Sequence, residues 1–247
     1  MAKMWGTEAA WRIVDETMQI RGGRGYETAD SLKARGEKPV AVERFLRDCR
    51  INTIFEGSSE IMRLFIAREM LDPHLKVSGA VLDSRKPMGV RLQAALKAGL
   101  FYAGWYPRQW LPAAGGIPSG VPARLRGHLA YARRTSRKLA RRLFHAMATN
   151  GPKLEREQVL LGRFVEIGAE LFAMIATCSR ASSLARSGGD GAAEVVQLAD
   201  YFCASARLRI DRLFRGLNHN TDRAGYKLAQ AVLKGDMPGL DDGFIKD

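Results

Sequence analysis

The chain has 247 residues, 46% of them hydrophobic, and carries a formal net charge of +13. That length supports one large domain or two small ones with an ample core, and that hydrophobic share excludes a disordered chain. No apolar run reaches the roughly 18–20 residues of a membrane-spanning helix, and Ala2 to Ala10 carries Lys3, Trp5 and Glu8 where a signal peptide would have an apolar core.

Three cysteines, Cys49, Cys178 and Cys203, are widely spaced and form no CxxC pattern. A reduced, cytoplasmic protein without a disulfide framework or zinc site is the simplest expectation. The charge is uneven. Residues 1–75 hold 12 Lys/Arg and 12 Asp/Glu, whereas residues 76–247 hold 27 and 14, so the whole excess lies in the later part. Such asymmetry suggests two modules, the second facing something anionic: a membrane surface, nucleic acid or another protein.

Helical periodicity dominates and strand alternation is nearly absent, so an all-α helical bundle is expected. Met4 to Ile20 forms the first run, with no capping residue ahead of it, and Arg21-Gly22-Gly23-Arg24-Gly25 ends it. A polar connection from Tyr26 to Pro39 follows, then Val40 to Ile51, a Glu-Gly turn, and Ser58 to Leu71. Asp72-Pro73-His74 is expected to close this module, with Val77 to Lys86 as a linker. Val90 to Tyr106 is apolar and aromatic; Pro107 to Pro122 reads as a loop. Three long helices are expected over Ala123 to Thr149, Glu155 to Arg186 (closed by Gly188-Gly189) and Ala192 to Leu217, then a short one over Arg223 to Leu233. The expected division is 1–75, a connection over 76–122, and a basic helical extension over 123–247.

Several motifs admit more than one chemistry. Arg21-Gly22-Gly23-Arg24-Gly25 bares backbone N–H groups that suit a phosphate, or it is a plain helix C-cap. Glu56 stands between Ile54-Phe55 and Gly57. Apolar flanks would desolvate its carboxylate and raise its pKa toward that of a general base. Spacing alone favours a helix-terminus acid, with Gly57 making the turn and Ser58 capping the next helix. Glu43-Arg44 and Arg47-Asp48 read as an ion-pair ladder that fixes helix packing. The run Arg124, Arg126, Arg133, Arg134, Arg137, Lys138, Arg141 and Arg142 contains no acid. It reads as a solvated face or a contact with anionic lipid. Nucleic acid is not expected as a partner, because no recognised binding motif or stacking aromatic accompanies the arginines. The aromatic cluster from Leu100 to Leu111 suits a core, a subunit interface or a membrane interface.

Three motifs taken together carry a family resemblance: Gln19-Ile20-Arg21-Gly22-Gly23-Arg24-Gly25-Tyr26, then Val42 to Ile51, then Ile54-Phe55-Glu56-Gly57-Ser58-Ser59-Glu60-Ile61-Met62-Arg63. In this order residues 3–71 resemble the C-terminal helical domain of the acyl-CoA dehydrogenases. The remainder resembles the helical extension of the very-long-chain subgroup. The resemblance implies FAD-dependent α,β-dehydrogenation of a long-chain acyl-CoA thioester, with Glu56 as the base that takes the α-proton. It places Phe55 and Gly57 against the acyl-CoA and Ser58, Ser59 and Glu60 against FAD. Gln19, Ile20, Arg21, Gly22 and Gly23 would meet the FAD of a second subunit, which implies a homodimer. Electrons would pass to an electron-transfer flavoprotein. Ser58 stands where the family usually has threonine, and the connection from Glu27 to Pro39 is longer than usual. The family's N-terminal and middle domains have no counterpart here, so the expectation is the C-terminal portion of a larger enzyme, inactive alone. The alternative is a non-catalytic helical module docking on an anionic membrane or a flavoprotein partner, peripheral at the inner face of the membrane.

Overall fold

The computed structural model describes residues 1–112, 115–188, 191–237 and 239. Among these, all regular structure is helical, as the periodicity predicts. The order is α1 Ala2–Arg21, α2 Gly23–Tyr26, α3 Ala29–Ala34, α4 Val42–Ile51, α5 Ser59–Leu82, α6 Met88–Arg108, α7 Ala123–Asn150, a 3-10 turn Gly151–Arg156, α8 Gln158–Ser187, α9 Ala192–Gly216 and α10 Asp222–Leu233. The loop expected over residues 107–122 begins only after Arg108, and its Ala113 and Ala114 lie outside the described residues, as does Gly189 of the expected stop after α8.

α8 organises the molecule because it is apolar on two faces. Phe164, Ile167, Leu171, Met174 and Cys178 meet Leu125, Ala132, Leu139 and Leu143 of α7 and Cys203, Ala206, Ile210 and Phe214 of α9 in one core. Leu161, Val165 and Ala169 meet Met4 of α1, Ile66 and Ala67 of α5, and Leu154 in a second. The two charge-defined halves of the chain therefore share one helix. Arg63 ties the same three helices by charge, at 2.9 Å from Glu8 of α1 and 3.2 Å from Glu166 of α8. Trp5 of α1 sets its ring edge-on to Phe202 of α9 at 5.9 Å.

The break expected at Asp72-Pro73-His74 does not occur. α5 runs through Pro73 to Leu82, so most of the expected linker is helix. Proline removes one i→i−4 bond and crowds the preceding turn. Here packing on both sides outweighs that cost: Ile66 and Ala67 are buried about two turns earlier, and His74 is buried one residue later. His74 stacks on Tyr102 at 5.8 Å, meets Trp105 edge-on at 4.9 Å and faces Phe144 of α7. The aromatic cluster thus fills the α5–α6–α7 junction, while Trp110 and Leu111 beyond it remain exposed.

Burial holds the His74 imidazole below its ordinary pKa of 6.5. Its Nδ1 lies 3.1 Å from the Tyr102 hydroxyl, and His145 sits across Phe144. Because the unfolded chain binds the proton more readily, stability is lost as pH falls from about 6.5 toward the depressed folded-state value. We expect urea midpoints to drop over that window in the wild type, with the drop attenuated in His74→Asn. Equal pH slopes in both proteins would contradict this.

The ladder on α4 forms as Arg47–Glu43 at 2.8 Å and Arg44–Asp48 at 3.8 Å. Both pairs join residues one turn apart on α4 and support the helix itself; Arg44, Asp48 and Arg47 are exposed, whereas the Glu43 side chain is largely covered. On α7 the basic residues are more than a solvated face. Arg126 donates to the Val121 and Ser119 carbonyls, and Arg137 and Arg141 donate to the carbonyls of Leu111 and Gln109.

Candidate active site

The turn between α4 and α5 is built by short-range bonds. The Phe55 N–H donates to the Ile51 carbonyl at 3.0 Å, and the Ser59 N–H donates back to the Thr53 carbonyl at 3.0 Å. Arg50 donates to the Thr53 hydroxyl at 3.1 Å and lies over the Trp11 ring at 5.3 Å, which seats the end of α4 on α1. Ser58 caps α5 by accepting from the Ile61 N–H at 3.4 Å, as the sequence suggests. The cap is therefore Ser58 and not Glu56.

Glu56 instead adopts φ 51°, the only positive φ at a non-glycine among the described residues, and Gly57 follows at φ 91°. A left-handed backbone at a residue with a Cβ costs about 1 kcal/mol. Lys3 of α1 holds the turn from both sides, donating to the Phe55 carbonyl at 3.1 Å and to the Gly57 carbonyl at 2.6 Å. Within the described residues no hydrogen bond uses the backbone N–H of Glu56 or Gly57. The expected desolvation is absent within this chain: Ile54 and Phe55 are 52% and 43% exposed, and Glu56 is itself exposed.

Beside the turn lies a cleft of about 280 Å³ lined by Glu8, Trp11, Arg50, Thr53, Ile54, Ser58, Ser59 and Glu60. Ser59 is only 5% exposed, and its Oγ has no hydrogen-bond partner. The Glu60 carboxyl is held below the usual range by its own backbone N–H and the Ser58 hydroxyl, with Arg63 and Arg50 adding positive charge.

The glycine-rich segment does end α1, with Gly22 at φ 58° donating to the Gln19 carbonyl at 3.1 Å. Gly25 is required sterically, since a Cβ there would stand 2.7 Å from the Met18 carbonyl oxygen. Gln19, Ile20, Gly22 and Gly23 are exposed, and Arg21 has a buried Nε without a partner. Eleven residues of α1 separate Gln19 from Glu8, about 16 Å along the axis. The structure therefore gathers Phe55, Glu56, Gly57, Ser58, Ser59 and Glu60 on one turn and leaves residues 19–23 at the far end of α1. Sequence reasoning missed Lys3, Glu8, Trp11, Arg50 and Thr53, whose roles arise only from helix pairing.

Lys3→Met is expected to destabilise the fold by about 1 kcal/mol, since its two charge-assisted bonds are partly exposed. Amide exchange at residues 55–59 should quicken selectively. Unchanged protection there would show that Lys3 does not brace the turn.

Residues 1–71 match the family described as "Acyl-CoA dehydrogenase, C-terminal domain", and residues 132–235 match "ACAD9/ACADV, C-terminal domain". The chain is 45% identical over 247 residues to the probable acyl-CoA dehydrogenase FadE10 of Mycobacterium tuberculosis, covering 99% of this chain and 38% of that protein. It is 33% identical over 219 residues to the human mitochondrial very long-chain specific acyl-CoA dehydrogenase, covering 85% of this chain and 30% of that one. A crystal structure of an acyl-CoA dehydrogenase complexed with FAD from Bacillus anthracis aligns with a TM-score of 0.58 at 25% identity, over 85% of this chain and 31% of that one. The helical fold is thus that of acyl-CoA dehydrogenase C-terminal domains. Through both matched segments the chain belongs to the acyl-CoA dehydrogenase family, and it spans less than two fifths of the relatives it matches.

Proposed function

We propose that this chain supplies the catalytic base, part of the FAD site and the helical extension of an enzyme that α,β-dehydrogenates long-chain acyl-CoA. The observation that carries the reading is Glu56: a carboxylate on a strained, braced backbone, next to two unused N–H groups. Strain of this kind persists where surrounding structure imposes it, and it concentrates at functional sites. Glu56 takes the α-proton of the thioester. Negative charge then develops on the thioester oxygen, and the Glu56 backbone N–H is placed to stabilise it. Phe55 and Gly57 flank the acyl-CoA.

FAD, when bound, accepts the β-hydride. The residues present fit such a group. Ser59 Oγ and Arg21 Nε, two of the four buried side-chain polar atoms left without a partner among the described residues, belong to the expected cofactor set. Buried polar atoms of this kind call for a ligand or a bound water. Ser58, Ser59 and Glu60 would hold one FAD at the start of α5. Gln19 to Gly23, at the opposite end of α1, would hold the FAD of a second copy in a homodimer. Exposed Phe45, Ile54, Phe55, Ile61 and Phe65 suit burial against the rest of the enzyme. Electron-transfer flavoprotein is the acceptor, and the setting is cytoplasmic.

The test is incubation of the FAD-loaded enzyme containing this chain with a long-chain acyl-CoA in D2O. Flavin bleaching and α-deuterium incorporation are expected. Binding of both ligands with neither event would refute the reading.

A second reading, docking at the inner face of an anionic membrane, is favoured by α6. Met88, Leu92, Leu96 and Leu100 repeat at one-turn spacing and are 74%, 63%, 65% and 78% exposed. Among the described residues no helix is long and apolar enough to cross a membrane, so this stripe would lie along the surface. Salt-insensitive binding to neutral vesicles would remove the electrostatic part of this reading.

A further inference from the structure

The core between α8 and α9 holds two thiols that the dehydrogenation chemistry does not use. Cys178 of α8 and Cys203 of α9 are both fully buried, and their sulfurs lie 3.6 Å apart without a bond between them. Each helix surrounds its cysteine with small buried residues at helical spacing, Ala181 and Ser182 on α8 and Ala199 and Ala206 on α9. Small side chains let two helices approach closely, so that a short cysteine on one reaches its counterpart on the other. A disulfide needs sulfurs about 2 Å apart, so the pair has roughly 1.5 Å to close, a movement of side-chain size.

The surroundings give the two thiols different parts. A hydrogen bond from the Cys203 thiol holds Cys178 below the usual thiol range, and the same bond together with burial pushes Cys203 up. Arg207, one turn beyond Cys203 on α9, adds positive charge that favours the thiolate at both. It is held in place by the Gly127 carbonyl at 2.7 Å and by the Tyr131 ring at 4.7 Å. Asp200, one turn before Cys203, acts in the opposite sense, and its carboxylate is bound by His128 at 2.7 Å. A sulfur of lowered pKa beside a second thiol is the arrangement of an attacking and a resolving cysteine. Burial shuts out bulky reagents and favours a small uncharged oxidant that enters through local opening.

We propose that Cys178 and Cys203 form a reversible disulfide clasp between α8 and α9, closed by hydrogen peroxide. The deprotonated Cys178 sulfur attacks one peroxide oxygen and the O–O bond breaks. The departing hydroxide takes a proton as water and leaves Cys178 as the sulfenic acid. Cys203 sulfur then attacks Cys178 sulfur, the S–O bond breaks, and that hydroxide takes the Cys203 proton as a second water. The two thiols lose two electrons, which the peroxide gains. Disulfides in reducing compartments are of this transient kind. The proposal requires neither a base at Glu56 nor membrane docking by α6.

The test uses the full chain carrying Cys49→Ser, which removes the half-buried third thiol. The reduced, folded protein is treated with excess hydrogen peroxide and then unfolded, and its remaining thiols are alkylated and counted by mass spectrometry. Both cysteines should label before oxidation and neither after it. The peptides holding Cys178 and Cys203 should be joined within one chain, and dithiothreitol should restore both labels. The oxidised form should gain about 1 M in urea midpoint and lose it on reduction. Cys203→Ala has no resolving thiol, so when unfolded in dimedone after the same treatment it should carry the adduct at Cys178. Two retained labels, labels lost without a joined peptide, or an oxidised form no more resistant to urea than the reduced one would overturn the proposal.

Discussion

Glu56→Gln is expected to lower acyl-CoA turnover by about 10²–10⁴-fold, the range a positioned general base contributes. Glutamine keeps the shape and polarity of the side chain but cannot take the α-proton at neutral pH. FAD affinity should therefore stay near the wild-type value while α-proton exchange with D2O disappears. Exchange at the wild-type rate in Glu56→Gln would remove this residue from the base role. The backbone supplies an independent readout. At φ 51° a glycine is unstrained, so Glu56→Gly should match or exceed the wild type in stability by up to about 1 kcal/mol while losing turnover. A site selected for stability alone has no reason to keep a glutamate there. Strong destabilisation by Glu56→Gly would mean that the side chain is structural.

Phe164→Ala is expected to destabilise the chain by about 3–5 kcal/mol, the usual cost of emptying an aromatic-sized volume in a well-packed core. Phe164 is 2% exposed and lies among α7, α8 and α9. Its sequence neighbour Val165, fully buried, points into the other core with Met4, Ile66 and Ala67. A shift of α8 at residue 164 must disturb both cores, so loss of the extension should also loosen the seat of α1 and α5. We expect one urea transition, coincident by far-UV circular dichroism and by tryptophan fluorescence, to which Trp5, Trp11, Trp105 and Trp110 contribute. Two separated transitions, or a loss under about 1 kcal/mol, would show that the halves fold independently.

The helices were legible because apolar spacing and glycine stops are local properties. The α7 stripe illustrates this: of Leu125, Leu129, Ala132, Leu139, Leu143 and Met147, which the spacing aligns, four are buried and Leu129 and Met147 are half-buried. His128 and Thr135 were not anticipated as buried, because a polar residue on an apolar face depends on a partner elsewhere. For His128 that partner is Asp200 of α9, 2.7 Å from its Nε2. Pro73 misled for the same reason. Its local preference is to end a helix, and the aromatic nest around His74 that overrides it comes from α6 and α7.

At the candidate site, the motif around Glu56 was readable as a catalytic segment only through its order with the other two motifs. Apolar neighbours in sequence suggested a desolvated carboxylate, yet Ile54 and Phe55 face outward, since neighbouring residues in a turn need not share a side. The brace from Lys3 could not be read at all, because residues 3 and 57 are distant in sequence and meet only when α1 packs beside the α4–α5 turn.

Composition and periodicity by themselves determined an all-α chain with a neutral first part and a basic later part, and the ordered motifs determined its family. Only the tertiary structure decided that the two parts share α8. It also decided that Cys178 and Cys203 lie 3.6 Å apart and unbridged, that four arginines of α7 line one cleft, and that Glu56 sits on a left-handed backbone. Helix formation depends on contacts within a turn or two, which the sequence states directly. The other features depend on which faces of distant helices bury each other, and that is settled by the packing of the whole chain.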